Sequence, residues 1–437
     1  MSLIGPALRA GRLKNAGDLR KDAGIQGAGG LDERGRHRLN SPGQKLCTRK
    51  AINCPEPHVF AGFPIGIQQL CPSIYGNLKK APFEVDRIFM NPSASAEAQA
   101  LLATPFPPDF LPGAHSAVDT CLRIQPSEKV TLITDQATAP IAASLAQQLA
   151  ANGCRWNAFV LEDLAPRPLI DMPQPVLADM ETSDVSIFAV GVQRNELRSR
   201  MQMTEVVNRR RMRHAHMVNI TPQIMCEGMR ADFHRVDQLS QKVIEKVRNA
   251  RYIRATTAAG TDIRADLNPA YNWLKTSGII SRDKWGNLPG GEIFTTPGEV
   301  NGTFVVDGVV GDYLCARFGL LEANPLTIII KGNRIVSCES SNQELRDEFW
   351  AYTHTDENSD RVGEFAIGTN LGVHQVIGNI LQDEKFPGIH IAFGNPYGEH
   401  TGAPWTSTTH IDVVGLRFNI WVEEEQIMKD GKFLVEA

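Results

Sequence analysis

Two histidines and three carboxylates in the C-terminal third of this 437-residue sequence have the types and local settings of ligands to divalent metal ions. His410 and Asp412 stand two apart in STTHIDVV, where Val413, Val414, Leu416 and Phe418 read as strand. Side chains at i and i+2 of a strand leave the same face, so an imidazole and a carboxylate would project together. His390 lies in a second strand-like run, Ile389 to Phe393, which Gly394 and Pro396 end; it could reach the same point from a neighbouring strand. Glu292 follows a Pro-Gly-Gly turn and opens a strand, and Glu364 follows a glycine and opens another. A mononuclear catalytic zinc needs about three protein ligands and one open position. Five donors exceed that, which favours two ions about 3.5–4 Å apart, with a shared water deprotonated near neutral pH.

Each piece taken alone has a plainer reading. A His-x-Asp on a strand is commonly a surface pair or a satisfied hydrogen-bonding pair, Glu292 after glycines could be a turn residue, and Tyr397 after Asn395-Pro396 could plug its loop. It is the number of donors in one region that separates the metal reading from these. His400, in YGEHTGAPW, reads as a loop histidine at a pocket rim, and Trp405 as either a pocket wall or a cover on the core. His214 and His216 form an HxH pair, but in a different part of the chain, so they read as structural.

These residues need a scaffold, and the chain changes texture twice in building one. Residues 1–82 are rich in Gly, Arg and Lys and carry no sustained period, so they read as a poorly ordered or irregular extension. The GAGG at Gly27 to Gly30 lacks the preceding strand and βαβ spacing of a dinucleotide fingerprint. From 83 to 250, strands (KVTLITD, WNAFVLED, DVSIFAV, MVNI) alternate with helices (PIAASLAQQLAANG with Gly153 as its stop, MQMTEVVNRRRMRH, DFHRVDQLSQKVIEKVRN). That alternation predicts a small doubly wound α/β domain with parallel pairing. Arg209, Arg210, Arg211 and Arg213 would sit late in the middle helix, where cations complement the C-terminal dipole.

Residues 251–437 read chiefly as antiparallel β, with a hairpin around Ala259-Gly260-Thr261 and helices at Asn342 to Tyr352 and near Val373 to Leu381. The expected fold is α+β overall, with every candidate ligand on the larger β domain. The substrate site would lie in the cleft between the two domains.

Composition excludes several classes. A net charge of -4 and a pI near 6.3 provide no basic stripe for nucleic acid. No apolar run reaches the roughly 20 residues that span a bilayer, and the first thirty residues lack an apolar signal core, so the expectation is a soluble cytoplasmic protein without membrane partners. The eight cysteines, Cys47, Cys54, Cys71, Cys121, Cys154, Cys226, Cys315 and Cys338, show no CxxC spacing and suit separate reduced thiols. Cys315 and Cys338 read as small core residues in strand-like surroundings.

The ordered pieces NLPGGEIFTTP, VGEFAIGTN, DEKFPGIHIAFGNPY and STTHIDVV resemble the thermophilic metallo-aminopeptidases, the aminopeptidase T and aminopeptidase S family, over roughly Val130 to the C-terminus. The resemblance implies that Glu292, Glu364, His390, His410 and Asp412 hold two divalent ions (zinc, cobalt or manganese). It also implies that Tyr397 donates a hydrogen bond to the tetrahedral oxyanion, that small peptides are the substrates, and that the chain is a homodimer. Glu292 and Glu364 have similar settings; the proton-carrying role is assigned to Glu364. The 2,5-dihydroxypyridine dioxygenases are similar in architecture but hold one Fe(II) through two histidines and an aspartate. That chemistry would place a histidine where Glu364 stands, although His354 and His374 offer a loose alternative alignment. A non-catalytic relative that uses the β domain for assembly is the third class.

Overall fold

Short strands alternating with helices give the first half of the molecule its parallel sheet. The computed structural model of the chain describes residues 95–436; the extension expected over 1–82, with Cys47, Cys54 and Cys71, lies outside the described residues. Strands β1 (Lys129–Thr134), β2 (Arg155–Val160), β3 (Val185–Val190) and β4 (Arg213–Val218) pair in parallel in the order β2-β1-β3-β4. Alternate residues feed two cores, one holding Leu132, Ile187 and Ala215, the other Ile133, Phe188 and Val218. Helix Ala139–Asn152 joins β1 to β2 and stops at Gly153, whose φ of +82° only glycine adopts freely. Helix Phe233–Val247 starts where the Asp232 carboxylate accepts the N–H groups of His234 and Arg235.

Two expectations in this half need correction. The middle helix covers Leu197–Arg210 and ends at Arg211, in the left-handed region with φ +52°. Arg213 and His214 therefore belong to β4 and not to the helix. Arg213 is buried, donates to the carbonyls of Leu122 and Arg123 and pairs with Glu128, so only Arg209, Arg210 and Arg211 remain at the helix end. Helices at Ala96–Leu102 and Leu111–His115, not anticipated from the sequence, pack with helix Ala139–Asn152.

The second half supplies β5 (Tyr252–Thr256), β6 (Asp262–Asp266), β7 (Leu274–Lys275), β8 (Gly286–Asn287), β9 (Glu292–Thr295), β10 (Glu299–Val306), β11 (Leu326–Lys331), β12 (Arg334–Glu339), β13 (Val362–Gly368), β14 (Gly388–Gly394), β15 (His410–Val414), β16 (Asn419–Val422), β17 (Glu425–Lys429) and β18 (Lys432–Phe433). They form an eight-stranded sheet, β12-β11-β10-β6-β5-β16-β17-β18, and a five-stranded sheet, β15-β14-β13-β9-β7, while β8 joins β4 at the edge of the parallel sheet. One core is shared by both, with Ile253, Phe304 and Ile328 from the first sheet and Phe365, Ile391 and Ile411 from the second. The architecture is thus mixed, a helix-covered parallel sheet followed by a larger antiparallel region.

The helix expected near Val373 to Leu381 is absent; only Ile380–Asp383 is helical. The Asp383 carboxylate accepts the backbone N–H groups of Ile377, Gly378 and Asn379, which a continuous helix would have used internally, and Gly378 is left-handed. Cys315 lies on helix Asp312–Phe318 instead of a strand, though buried as expected. Cys121, Cys154, Cys226, Cys315 and Cys338 are free thiols.

Candidate metal centre

Register on the five-stranded sheet gathers the five donors. Across β9 and β13, Glu292 faces Gly368; across β13 and β14, Glu364 faces Ala392 and Ala366 faces His390. Across β14 and β15, Ala392 faces Asp412 and Gly394 faces His410. Paired residues on neighbouring strands share a face, so Glu292, Glu364, His390, His410 and Asp412 all project from one side of the sheet. Each has only Ala or Gly directly opposite it on the strand named, which leaves room for the polar groups to converge. The residues between them, Ile293, Phe365, Ile367, Ile389, Ile391, Phe393, Ile411 and Val413, point the other way into the core. A one-residue slip would bury the charges and expose this apolar set, so the pattern fixes the register.

All five donors are buried. Glu292, Glu364 and His390 offer ligand atoms within 4.8 Å of one another. His390 Nε2 lies 3.4 Å from Glu292 Oε2 and 3.6 Å from Glu364 Oε1. On the other side, His410 Nε2 lies 3.8 Å from Glu364 Oε2 and 3.5 Å from Asp412 Oδ1. Glu364 therefore turns one oxygen toward each histidine. His390 Nε2 is a buried nitrogen with no hydrogen-bond partner, an arrangement that costs free energy unless something binds there. His410 Nδ1 is 2.9 Å from the Asn395 carbonyl; donating there fixes the tautomer that leaves Nε2 bare as a ligand. Both observations fit a divalent cation.

Two buried residues that the sequence did not single out, Glu384 and Lys385, complete the site with the half-buried Thr276. Lys385 extends its amine to Glu292 Oε1 at 2.7 Å and to Glu384 Oε1 at 2.5 Å, and Thr276 also donates to Glu292 Oε1, at 2.8 Å. Oε1 of Glu292 is thereby occupied, and Oε2 is the atom that faces His390. A cavity lies over this face, lined by Glu292, Glu364, Glu384, Lys385, His410, Asp412 and Tyr397, with Trp285 to Asn287 from the edge of the parallel sheet.

The charges respond to crowding. Burial, with Asp412 and Glu292 close by, pushes the Glu364 carboxyl up to about 8, although His410 and Lys385 oppose it. Burial likewise pushes Glu384 up to about 8 against the pull of Lys385. Burial works against ionisation of Glu292 too, but Lys385 and His390 outweigh it and hold that carboxyl below its ordinary value. Burial is also outweighed at Asp412, which His410 holds low, and at His410, which Asp412 raises. Positive charge entering the cavity would reverse the upward shifts of Glu364 and Glu384.

Tyr397 reaches the site from an unusual backbone. Its φ of +50° lies in the left-handed region, rare for an aromatic residue. Its ring centroid lies 4.6 Å from that of His410, with the two rings tilted by 43°. Burial raises the phenol well above its ordinary value, so it remains a proton donor. The other aromatic and imidazole candidates stand apart from the cavity lining. Trp405 is buried against Tyr271 and under Arg361 and does not line the cavity. His400, His354 and His374 are exposed. His214 and His216 are buried in β4, hydrogen-bonded to Ser186 and to each other.

The order Glu, Glu, His, Tyr, His-x-Asp, with the five donors on one sheet face and the tyrosine between β14 and β15, is the decisive pattern. Residues 228–433 match the thermophilic metalloprotease (M29) family. All five donors and Tyr397 fall inside that span, which is shorter than the Val130 to C-terminus expected, so the resemblance read from the sequence holds over those residues, and the match supports a metal-dependent peptidase. Among the solved structures similar in fold are these two. One is AmpT from Thermus thermophilus (15% identity, TM-score 0.56, covering 75% of this chain and 99% of that one). The other is a 2,5-dihydroxypyridine dioxygenase from Pseudomonas putida KT2440 (16% identity, TM-score 0.54, covering 76% and 99%). No curated protein sequence matches the chain. Among the described residues no helix is long and apolar enough to cross a membrane.

Proposed function

We propose that this protein is a metal-dependent aminopeptidase that removes N-terminal residues from small peptides at a two-ion centre. The observation that carries the reading is the placement of Glu364 between two half-sites, Glu292 with His390 and Asp412 with His410, with one carboxylate oxygen toward each. A single ion would leave one half-site unused. Charge points the same way: when ionised, Glu292, Glu364, Glu384 and Asp412 face, among the described residues, one buried amine, Lys385, which leaves three negative charges. Two divalent ions and one hydroxide balance them.

Ions bound there would polarise the scissile carbonyl and lower the pKa of water, and the mixed oxygen and imidazole donor set suits zinc, cobalt or manganese. The chain's own groups do the rest. Glu364 would carry the proton of the attacking water to the leaving amine once one of its two oxygens is released from the ions, a transfer that needs a group within hydrogen-bond reach of both. The Tyr397 hydroxyl donates to the carbonyl oxygen as it gains charge. Lys385 and Thr276 hold Glu292 at a fixed rotation. A homodimer and a cytoplasmic setting belong to the same reading.

Hydrolysis of an aminoacyl anilide tests it. Activity should vanish on chelation and return with added divalent ion, and Glu364→Gln should abolish turnover while circular dichroism stays unchanged. Full activity in that variant would remove Glu364 from the mechanism. One bound iron with oxygen uptake on a hydroxypyridine would replace the peptidase with the dioxygenase, a reading that the glutamate at 364 argues against.

A further inference from the structure

We propose that Glu384 determines specificity by binding the free α-ammonium of the substrate, an inference that rests on the aminopeptidase reading above. Four carboxylates line the cavity, Glu292, Glu364, Glu384 and Asp412. Three of them belong to the proposed ion shell. A cationic substrate terminus beside two divalent ions is repelled by them, so it needs a carboxylate that the ions do not occupy. Among the described lining residues Glu384 is the acid that remains.

The local backbone makes it a rigid reader. Glu384 follows the short helix Ile380–Asp383, its N–H bonded to the Ile380 carbonyl at 3.3 Å. The next residue is pinned from both sides, with Lys385 N donating to Gln382 O at 2.8 Å and Asn370 N donating to Lys385 O at 3.1 Å. Asp383 ties the preceding turn through three backbone N–H groups. At 4% exposure the Glu384 side chain is desolvated yet borders the cavity. Lys385 contacts its Oε1 and shares its single positive charge with Glu292. The trio of Glu384, Lys385 and Glu292 therefore stays net negative when ionised and attracts an ammonium instead of excluding it.

The placement also orients the peptide. Lys385 links Glu384 to Glu292, whereas Tyr397 packs against His410. The amino terminus would lie at the Glu292 and Glu384 end, with the leaving amine toward His410 and Tyr397.

The test compares leucine p-nitroanilide with its des-amino analogue, 4-methylpentanoyl p-nitroanilide, on wild type, Glu384→Gln and Glu384→Asp, with bound metal measured in each. Wild type should strongly prefer the amine. Glu384→Gln should lose about 10- to 100-fold in kcat/KM on that substrate, mostly through KM, consistent with loss of one charged hydrogen bond. The preference over the des-amino analogue should collapse, bound metal should stay at the wild-type level, and Glu384→Asp should recover part of the preference. An unaltered preference in Glu384→Gln overturns the proposal, and so does loss of metal in that variant, which would make Glu384 part of the ion shell. If wild type cleaves neither anilide, the peptidase reading itself fails.

Discussion

Lys385→Met isolates the electrostatic contribution of the one buried amine among the site carboxylates. In the wild type its amine is 2.7 Å from Glu292 Oε1 and 2.5 Å from Glu384 Oε1, and the side chain has no solvent access. Methionine fills a similar volume but carries no charge, so Glu292 would keep only Thr276 as a donor to Oε1. Breaking a buried pair by removing one partner costs about 3–5 kcal/mol. We expect that loss in urea unfolding of chelator-treated protein at pH 8, a large share of the ~5–15 kcal/mol typical of folded proteins. The pH dependence carries a definite sign. Burial opposes ionisation of Glu292 in the folded protein, but Lys385 lowers its pKa below the unfolded value, so the stabilisation from this group is present above about pH 4.3 and fades as the pH falls through the folded pKa. Without the amine, burial dominates and the folded pKa rises above the unfolded one. The folded variant then binds the extra proton, and its deficit shrinks as pH falls from 8 toward about 4.3. Saturating divalent ion should also recover part of the deficit, because ligand that binds only the folded state stabilises it. A loss below about 1 kcal/mol at pH 8, or an equal loss at pH 8 and pH 5, would refute the electrostatic account of this lysine.

Two further expectations concern the scaffold. Ala392 stands opposite both Glu364 and Asp412, so Ala392→Val crowds the donors. It should cost about 1–3 kcal/mol by overpacking and lower bound metal, and wild-type metal content by elemental analysis would contradict this. Asp356 accepts from Asn358 N at 3.0 Å, Thr408 N at 2.7 Å and Ser407 Oγ at 3.0 Å, tying its turn to the loop before β15. Burial opposes ionisation there, but the bonds from Thr408, Asn358 and Ser407 hold the carboxyl well below the usual range. Its stabilisation is therefore present above about pH 3.9 and lost as pH falls toward the folded pKa. Asp356→Ala should cost about 1–2 kcal/mol at pH 7, the range of a lost cap. A deficit constant down to about pH 2.5 in thermal or urea unfolding would exclude that origin.

The donors were legible because each interrupts an alternating strand pattern. In IHIAF and HIDVV the polar residue stands between apolar ones that face a core, and a polar residue with such neighbours has a face of its own. The sequence did not reveal which four strands lie side by side, since register depends on pairing between segments that are not adjacent in the chain, as where Glu292 pairs with Gly368. Lys385 escaped for a different reason. A lysine in DEKFPG, next to two acids and a proline, has the composition of a solvated turn, and only the sheet beside it shows that the turn is folded inward. The stretch LGVHQVIGNIL misled by its apolar spacing, which suits a helix, while the Asp383 side chain takes up the N–H groups the helix would have needed. The boundary at Arg211 was hidden as well, because a left-handed arginine leaves no mark in composition.

Strand geometry explains why the shared carboxylate comes from β13. Neighbouring strands lie about 4.8 Å apart, so β9 and β15, separated by β13 and β14, are about 14 Å apart. Donors from those two outer strands cannot meet at one point. The structure accordingly pairs Glu292 with His390 and Asp412 with His410, and the side chain that touches both groups has to rise from between them. On β13 the residues on this face are Glu364, Ala366 and Gly368. Gly368 offers no side chain, and a Cβ there would meet the Phe386 carbonyl oxygen at 2.0 Å. Ala366 faces His390 and must stay small to admit it. Glu364 alone has both the position, across Ala392 from Asp412, and the length to turn an oxygen toward each histidine. A residue that looks in sequence like one acid among many is fixed there by the spacing of the sheet.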